Sequence, residues 1–174
     1  RYGLWRPGAP GANGIIAREN GSEDFLSDEN WTEFCRLAKS AGYFVIGRNT
    51  YETIMRLYKN YNFDDVKAKK IVITRNKNFH PEGYITSRSP RDAIEKARAA
   101  GFSRLILTGG SRTNASFMKE NLVDEIILNI EPAVLGRGIH LFADDNFETR
   151  LRLIKTKRLG SGIIQLHYKV TKKR

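Results

Sequence analysis

Cysteine, histidine and proline are scarce in this chain of 174 residues: it has one cysteine, three histidines and five prolines. The single Cys35 excludes an internal disulfide framework and fits a reducing compartment. It falls in a predicted helix with no histidine nearby and reads as chemically inert. One thiol and scattered imidazoles offer no metal-binding cluster, so no metal is expected. No apolar run is long enough to cross a bilayer. The N-terminus lacks the continuous apolar segment of a signal peptide. No membrane span is expected, and a cytoplasmic protein is.

Acidic residues are also in deficit, 19 against 30 basic ones, for a formal net charge of +11. Such an excess suits nucleic acid, ligands that carry phosphates, or simply a solvated surface. The basic residues are spread along the chain, with a small cluster at Lys172-Lys173-Arg174, and none are interleaved with aromatics. Nucleic acid is therefore not the expected partner.

The most informative stretch is Arg104-Leu105-Ile106-Leu107-Thr108-Gly109-Gly110-Ser111-Arg112-Thr113-Asn114. A short apolar run ends in two glycines and is followed by residues that favour helix N-caps. The glycines permit torsions and close approaches closed to other residues. The helix expected here runs from Ala115 to Glu120. A helix N-terminus behind glycines can hold a phosphate; a plain strand–turn–helix joint is the other reading. A second such joint occurs at Tyr43-Phe44-Val45-Ile46 followed by Gly47-Arg48-Asn49-Thr50, with a helix expected from about Tyr51 to Tyr58.

Ser27 caps a predicted helix with Asp28 and Glu29 in its first turn, where negative charge suits the helix dipole, and Gly42 ends it. Lys70 to Thr74 and Tyr84 to Thr86 read as strands, with the polar loop Arg75 to His80 between them. Ser89-Pro90 starts a helix that Gly101 closes. Glu125 to Pro132 is a strand. Leu151 to Leu159 and Ile163 to Val170 alternate around Gly160-Ser161-Gly162 as a hairpin. The expected class is α/β: one domain over residues 1–174, with a mostly parallel sheet flanked by helices and an antiparallel C-terminal hairpin. Ligands bind such sheets beyond the carboxyl ends of the strands, where both glycine joints, the Thr74–Arg75 loop and the acidic turn are expected to converge.

From Asn13 onward the chain resembles the dihydrofolate reductase superfamily, most closely the reductase domain that ends bacterial riboflavin-biosynthesis deaminase-reductases. The resemblance rests on Gly47-Arg48-Asn49-Thr50-Tyr51-Glu52-Thr53-Ile54, on Thr108-Gly109-Gly110, on Leu122-Val123-Asp124-Glu125-Ile126 with Pro132, and on the segment Leu135 to Phe142. It implies an NADPH-dependent reductase of a small molecule, either a phosphoribosylamino-pyrimidine or dihydrofolate. An inactive nucleotide- or nucleic-acid-binding relative is the alternative from another class, and a homodimer is compatible with the resemblance.

Carried over by the resemblance, Gly47, Arg48, Asn49 and Thr50 face the cofactor phosphates. Gly109, Gly110, Ser111, Arg112 and Thr113 line the pyrophosphate, and Thr74 and Arg75 lie near the adenosine 2′-phosphate. Arg48 and Arg75 read otherwise as surface solvation. Ile16 and Ala17 belong to the loop over the nicotinamide. The catalytic carboxylate of the family falls on Glu29, with Asp28 beside it; the alternative for both is a helix-dipole role alone.

Three features depart from the family. Tyr2 to Gly8 stands where a central apolar strand is usual, and its glycines and Pro7 make a central strand unexpected there. The arginine that clamps the glutamate tail of folate is replaced by Val66-Lys67-Ala68-Lys69-Lys70. The Trp and Leu-Pro before the acidic residue are replaced by Asp24-Phe25-Leu26-Ser27.

Overall fold

The computed structural model describes residues 4–5 (backbone only), 10–59, 61–160 and 162–171. Strand β1 (Leu4–Trp5) comes first, then β2 (Ile15–Ala17), α1 (Asp28–Ala41), β3 (Tyr43–Gly47) and α2 (Arg48–Leu57). They are followed by β4 (Lys69–Ile73), β5 (Tyr84–Ser87), α3 (Pro90–Ala99), β6 (Ile106–Leu107) and α4 (Ser111–Lys119). The chain ends with β7 (Glu125–Ile130), β8 (Ile139–His140), β9 (Arg150–Gly160) and β10 (Ile163–Thr171).

Eight strands form one sheet in the order β5-β4-β3-β6-β1-β7-β10-β9. Pairing is parallel from β5 through β7 and antiparallel where β10 meets β7 and β9. This is the expected α/β class with its C-terminal hairpin. β2 and β8 pair separately as a short antiparallel arm.

Burial explains why β3 and β6 read as continuous apolar runs. Side chains alternate between faces of a strand, and here both faces are covered. Tyr43, Val45, Leu105 and Leu107 belong to one core cluster, with Ala93, Ala97, Phe117 and Met118 of α3 and α4. Phe44, Ile46, Val72 and Ile106 belong to the other, with Leu37, Ala38 and Ala41 of α1.

The expectation for the first strand is corrected. Leu4 and Trp5 pair in parallel with β6 on one side and β7 on the other, so a two-residue strand holds a central place in the sheet. A proline removes a ladder donor only at its own position, and Pro7 follows this strand. The rest of the atypical segment, residues 1–3 and 6–9, lies outside the described residues, as does the Lys172-Lys173-Arg174 cluster.

Two helix starts are also corrected. α2 begins at Arg48 and α4 at Ser111, several residues before Tyr51 and Ala115, because the glycines themselves serve as N-caps. α1 and α3 begin as expected: Ser27 accepts the Asn30 N–H and Ser89 accepts the Asp92 N–H. Gly42 closes α1 in the left-handed region at φ 82°.

Candidate functional site

The carboxyl ends of β3, β4 and β6 open into a cleft of about 880 Å³. The two glycine joints meet at its floor. The Gly47 N–H donates to Gly109 O at 2.9 Å, and the Gly110 N–H donates to Thr50 Oγ1 at 2.7 Å. The contacts are reciprocal: a Cβ on Gly47 would lie 2.3 Å from Thr113 Oγ1, and one on Gly110 would lie 2.8 Å from Thr50 Oγ1. Both positions therefore need glycine for space. The peptide between Gly109 and Gly110 is cis.

Neither α2 nor α4 has a side-chain cap on its first turn. Uncapped first-turn N–H groups lack intrahelical partners and carry the positive end of the helix dipole. Two such ends side by side fit a pair of phosphates. α1 and α3, by contrast, spend their caps on serine hydroxyls.

The cations follow the same pattern. Arg48, Arg75, Arg88 and Arg112 all line the cleft. Arg48 is partly engaged: its Nε lies 3.1 Å from Glu52 Oε1 and its guanidinium sits 5.7 Å from the centre of the Phe79 ring. Arg75, Arg88 and Arg112 are exposed, and none forms an ion pair among the described residues. Asp92, in the first turn of α3, fixes the chain beside this cationic end: its Oδ2 accepts from Arg88 N at 2.8 Å, Ser87 Oγ at 2.9 Å and Lys96 Nζ at 3.0 Å. Burial alone would raise this carboxyl, but those three donors outweigh it and hold the group below its ordinary value. Thr74 is buried, and its Oγ1 accepts the Asn76 N–H at 3.1 Å.

The far end of the cleft is built from the β2–β8 arm and the turn after it. Ile16, Ala17 and Ile139 supply apolar wall, and Gly21, Glu23, Thr53, Ile54 and Tyr58 complete it. The turn is pinned to α2: Arg56 Nη2 donates to Asn20 O at 3.2 Å, and the Glu23 N–H donates to Tyr58 Oη at 3.1 Å.

The cleft thus brings together Ile16, Ala17, Gly47, Arg48, Asn49, Thr50, Thr74, Arg75, Gly110, Ser111, Arg112 and Thr113 from the sequence reading. Gly109 sits behind the floor, where its carbonyl joins the two loops. Asp28 and Glu29 do not line the cleft. They occupy the first turn of α1, and Glu29 Oε1 lies 3.5 Å from where a Cβ on Gly160 would stand, at the end of β9. The sequence reading missed Arg88, Ser89 and Glu23. Ser89-Pro90 was legible as a helix start but gave no sign that it faces the cleft; Glu23 lies in a polar turn with no periodic signal.

Behind α1 runs a buried polar chain. Asn129 Nδ2 donates to Asn30 Oδ1 at 2.7 Å, and Gln165 Nε2 donates to Asn129 Oδ1 at 2.9 Å and to Glu33 Oε1 at 3.0 Å. Glu131, 2% exposed, accepts from Ser27 N at 3.2 Å and Ser27 Oγ at 2.9 Å. These bonds fix the start of α1 against β7 and β10.

Comparison with known proteins agrees with this architecture. Residues 12–165 match the family model described as RibD C-terminal domain. The uncharacterized protein YwjB of Bacillus subtilis (strain 168) is 31% identical over 164 residues, covering 90% of this chain and 91% of YwjB. RibD of Acinetobacter baumannii superposes with a TM-score of 0.77 at 16% identity, over 97% of this chain and 58% of that one. Dihydrofolate reductase of Enterococcus faecalis, in complex with NADP(H) and RAB-propyl, superposes with a TM-score of 0.73 at 15% identity, over 98% of this chain and 97% of that one.

Proposed function

Since the chain belongs to the RibD C-terminal domain family, we propose that it is an NADPH-dependent reductase of 5-amino-6-(5-phosphoribosylamino)uracil or a related pyrimidine. The observation that carries the cofactor reading is the cleft itself. Two uncapped helix N-termini suit the pyrophosphate, and the cationic end at Arg75 and Arg88 suits a further phosphate, the mark of NADPH over NADH. Arg75 and Arg88, the helix starts behind Gly47 and Gly110, and Ile16 and Ala17 would together hold the dinucleotide. Bound there, it would supply the hydride; the chain positions it and sets the local electrostatics.

The substrate reading is supported by the two lysines that open β4. Lys70 is buried, its ammonium bound to Asp64 Oδ1 at 2.6 Å and Asn62 O at 2.7 Å. Lys69 Nζ stands 5.7 Å from the Tyr43 and Phe102 rings. Lys70 is thus committed within the fold, and a lysine cannot clamp a carboxylate bidentately as an arginine does, which weighs against dihydrofolate. The resemblance at Gly47 to Ile54 keeps dihydrofolate as the second reading.

The test is direct. Titrations with NADPH and NADH should show NADPH bound about tenfold or more tighter, the worth of one charge-assisted contact to a phosphate. NADPH oxidation is then followed with the phosphoribosylamino-uracil and with 7,8-dihydrofolate in parallel. Equal affinities for the two cofactors, or turnover with dihydrofolate alone, would overturn the respective half of the reading.

A further inference from the structure

Among the described residues that line the cleft, Glu23 is the only acid. It lies just after the turn that follows β2, with its N–H donating to Tyr58 Oη at the end of α2 at 3.1 Å. A reductase must protonate as well as reduce: hydride addition to a C=O or C=N carbon pushes the π electron pair onto the heteroatom, which then needs a proton. Resting on the reductase reading above, we propose that the Glu23 carboxyl delivers this proton to the substrate heteroatom. Bound NADPH would supply the hydride, the Glu23 O–H bond supplies the proton, and the carboxylate left behind is reprotonated from water.

Its surroundings suit the task. β2 and β8 present the apolar Ile16, Ala17 and Ile139 to this end of the cleft, and α2 presents Thr53, Ile54 and Tyr58. The charges nearby are engaged elsewhere: Arg56 of α2 donates to Asn20 O at 3.2 Å, and on the same turn Arg18 Nε pairs with Asp24 Oδ1 at 2.6 Å. The Glu23 carboxyl has no ion pair among the described residues. Burial without a compensating charge pushes it up to about 7, so the acid form is well populated at neutral pH. An acid that titrates near the working pH is suited to general acid catalysis. The main chain holds it in place through the bond from Glu23 N–H to Tyr58 Oη at 3.1 Å.

The experiment pairs a titration with kinetics. Carbon-13 NMR of glutamate-labelled protein, assigned by the signal lost in Glu23→Gln, should show one carboxyl titrating near pH 7, and its midpoint should rise when NADPH fills the cleft and removes water. With the phosphoribosylamino-uracil or dihydrofolate, whichever the wild type reduces, kcat/KM should fall as pH rises through about 7. Glu23→Gln should lower it roughly 10²–10⁴-fold and abolish that limb. Glu23→Asp should recover part of the rate, and NADPH affinity should stay within about threefold of wild type in both variants. A carboxyl titrating between pH 4 and 5, or full turnover in Glu23→Gln, would overturn the proposal. If NADPH binds but the wild type reduces neither compound, the reductase reading fails, and the donor with it, even where Glu23 titrates near 7. If NADPH does not bind, the reductase reading fails, and the donor with it.

Discussion

The Gly110 N–H donates to Thr50 Oγ1 at 2.7 Å, and the same hydroxyl leaves only 2.8 Å for any Cβ at position 110. The two uncapped helix N-termini at the cleft are thus linked through this bond, and a side chain at position 110 would have to displace the Thr50 hydroxyl that makes it. Gly110 has φ −74°, a torsion open to any residue, so the demand for glycine here is spatial. Gly110→Ala should therefore weaken NADPH binding at least roughly tenfold while unfolding stays cooperative. Titration calorimetry beside a thermal melt reads both, and unchanged affinity would refute the shared-floor account.

This relationship also explains what the sequence could and could not show. α1 and α3 carry their start signals in Ser27 and Ser89, and α1 its stop in Gly42, because those ends are satisfied by the chain itself. α2 and α4 start bare at Gly47 and Gly110. A site that leaves N–H groups free for a ligand must omit the very side chains by which a helix start is read. β1 was hidden for another reason: two residues carry no periodicity, and the glycines and Pro7 around them read as a turn. Arg88 and Glu23 look like ordinary surface charge in sequence, and only the way the strand ends converge places them in one cleft.

Arg88 was invisible to motif reasoning, yet it shares the cationic end with Arg75. If this end meets the phosphate that distinguishes NADPH, Arg75→Ala and Arg88→Ala should each cost about 1.5–3 kcal/mol of NADPH binding, tenfold or more in Kd. NADH binding should hardly change. Equal losses for the two cofactors in fluorescence titrations would move the 2′-phosphate elsewhere.

Asp92 and Glu23 should give opposite pH signatures in stability. The Asp92 carboxyl is held below its ordinary 3.8, so it stabilises the folded chain above that value, and the contribution is lost as pH falls through the folded value. The Glu23 carboxyl, raised from 4.5 to about 7, runs the other way: its burial is tolerated in full below pH 4.5 and weighs against folding as pH rises through 7. Asp92→Asn should accordingly lower Tm at pH 7 and barely at pH 2. Glu23→Gln should raise Tm at pH 8 and leave it unchanged at pH 4. Thermal melts across this range check both signs. A Glu23→Gln variant less stable than wild type at pH 8 would mean that the charged carboxylate has a partner in the fold.

Glu29 gives the sharpest contrast between resemblance and geometry. The resemblance makes it the substrate carboxylate, whereas in the fold it lies outside the cleft lining, with its side chain against Gly160. A carboxylate in the first turn of a helix is worth about 0.3–1 kcal/mol through the helix dipole. On the geometry, Glu29→Gln should lower Tm slightly, leave NADPH affinity within about twofold, and leave the pH dependence of turnover unchanged, as should Asp28→Asn. A loss of turnover beyond about tenfold with the fold intact would establish Glu29 as the substrate carboxylate. It would also mean that the substrate reaches past the arm of β2 and β8 to the start of α1, where Ser27 and Glu131 already hold the helix in place. Running the Glu29→Gln and Glu23→Gln pH profiles side by side separates the two acids: whichever substitution removes the fall in kcat/KM near pH 7 marks the residue that carries the proton.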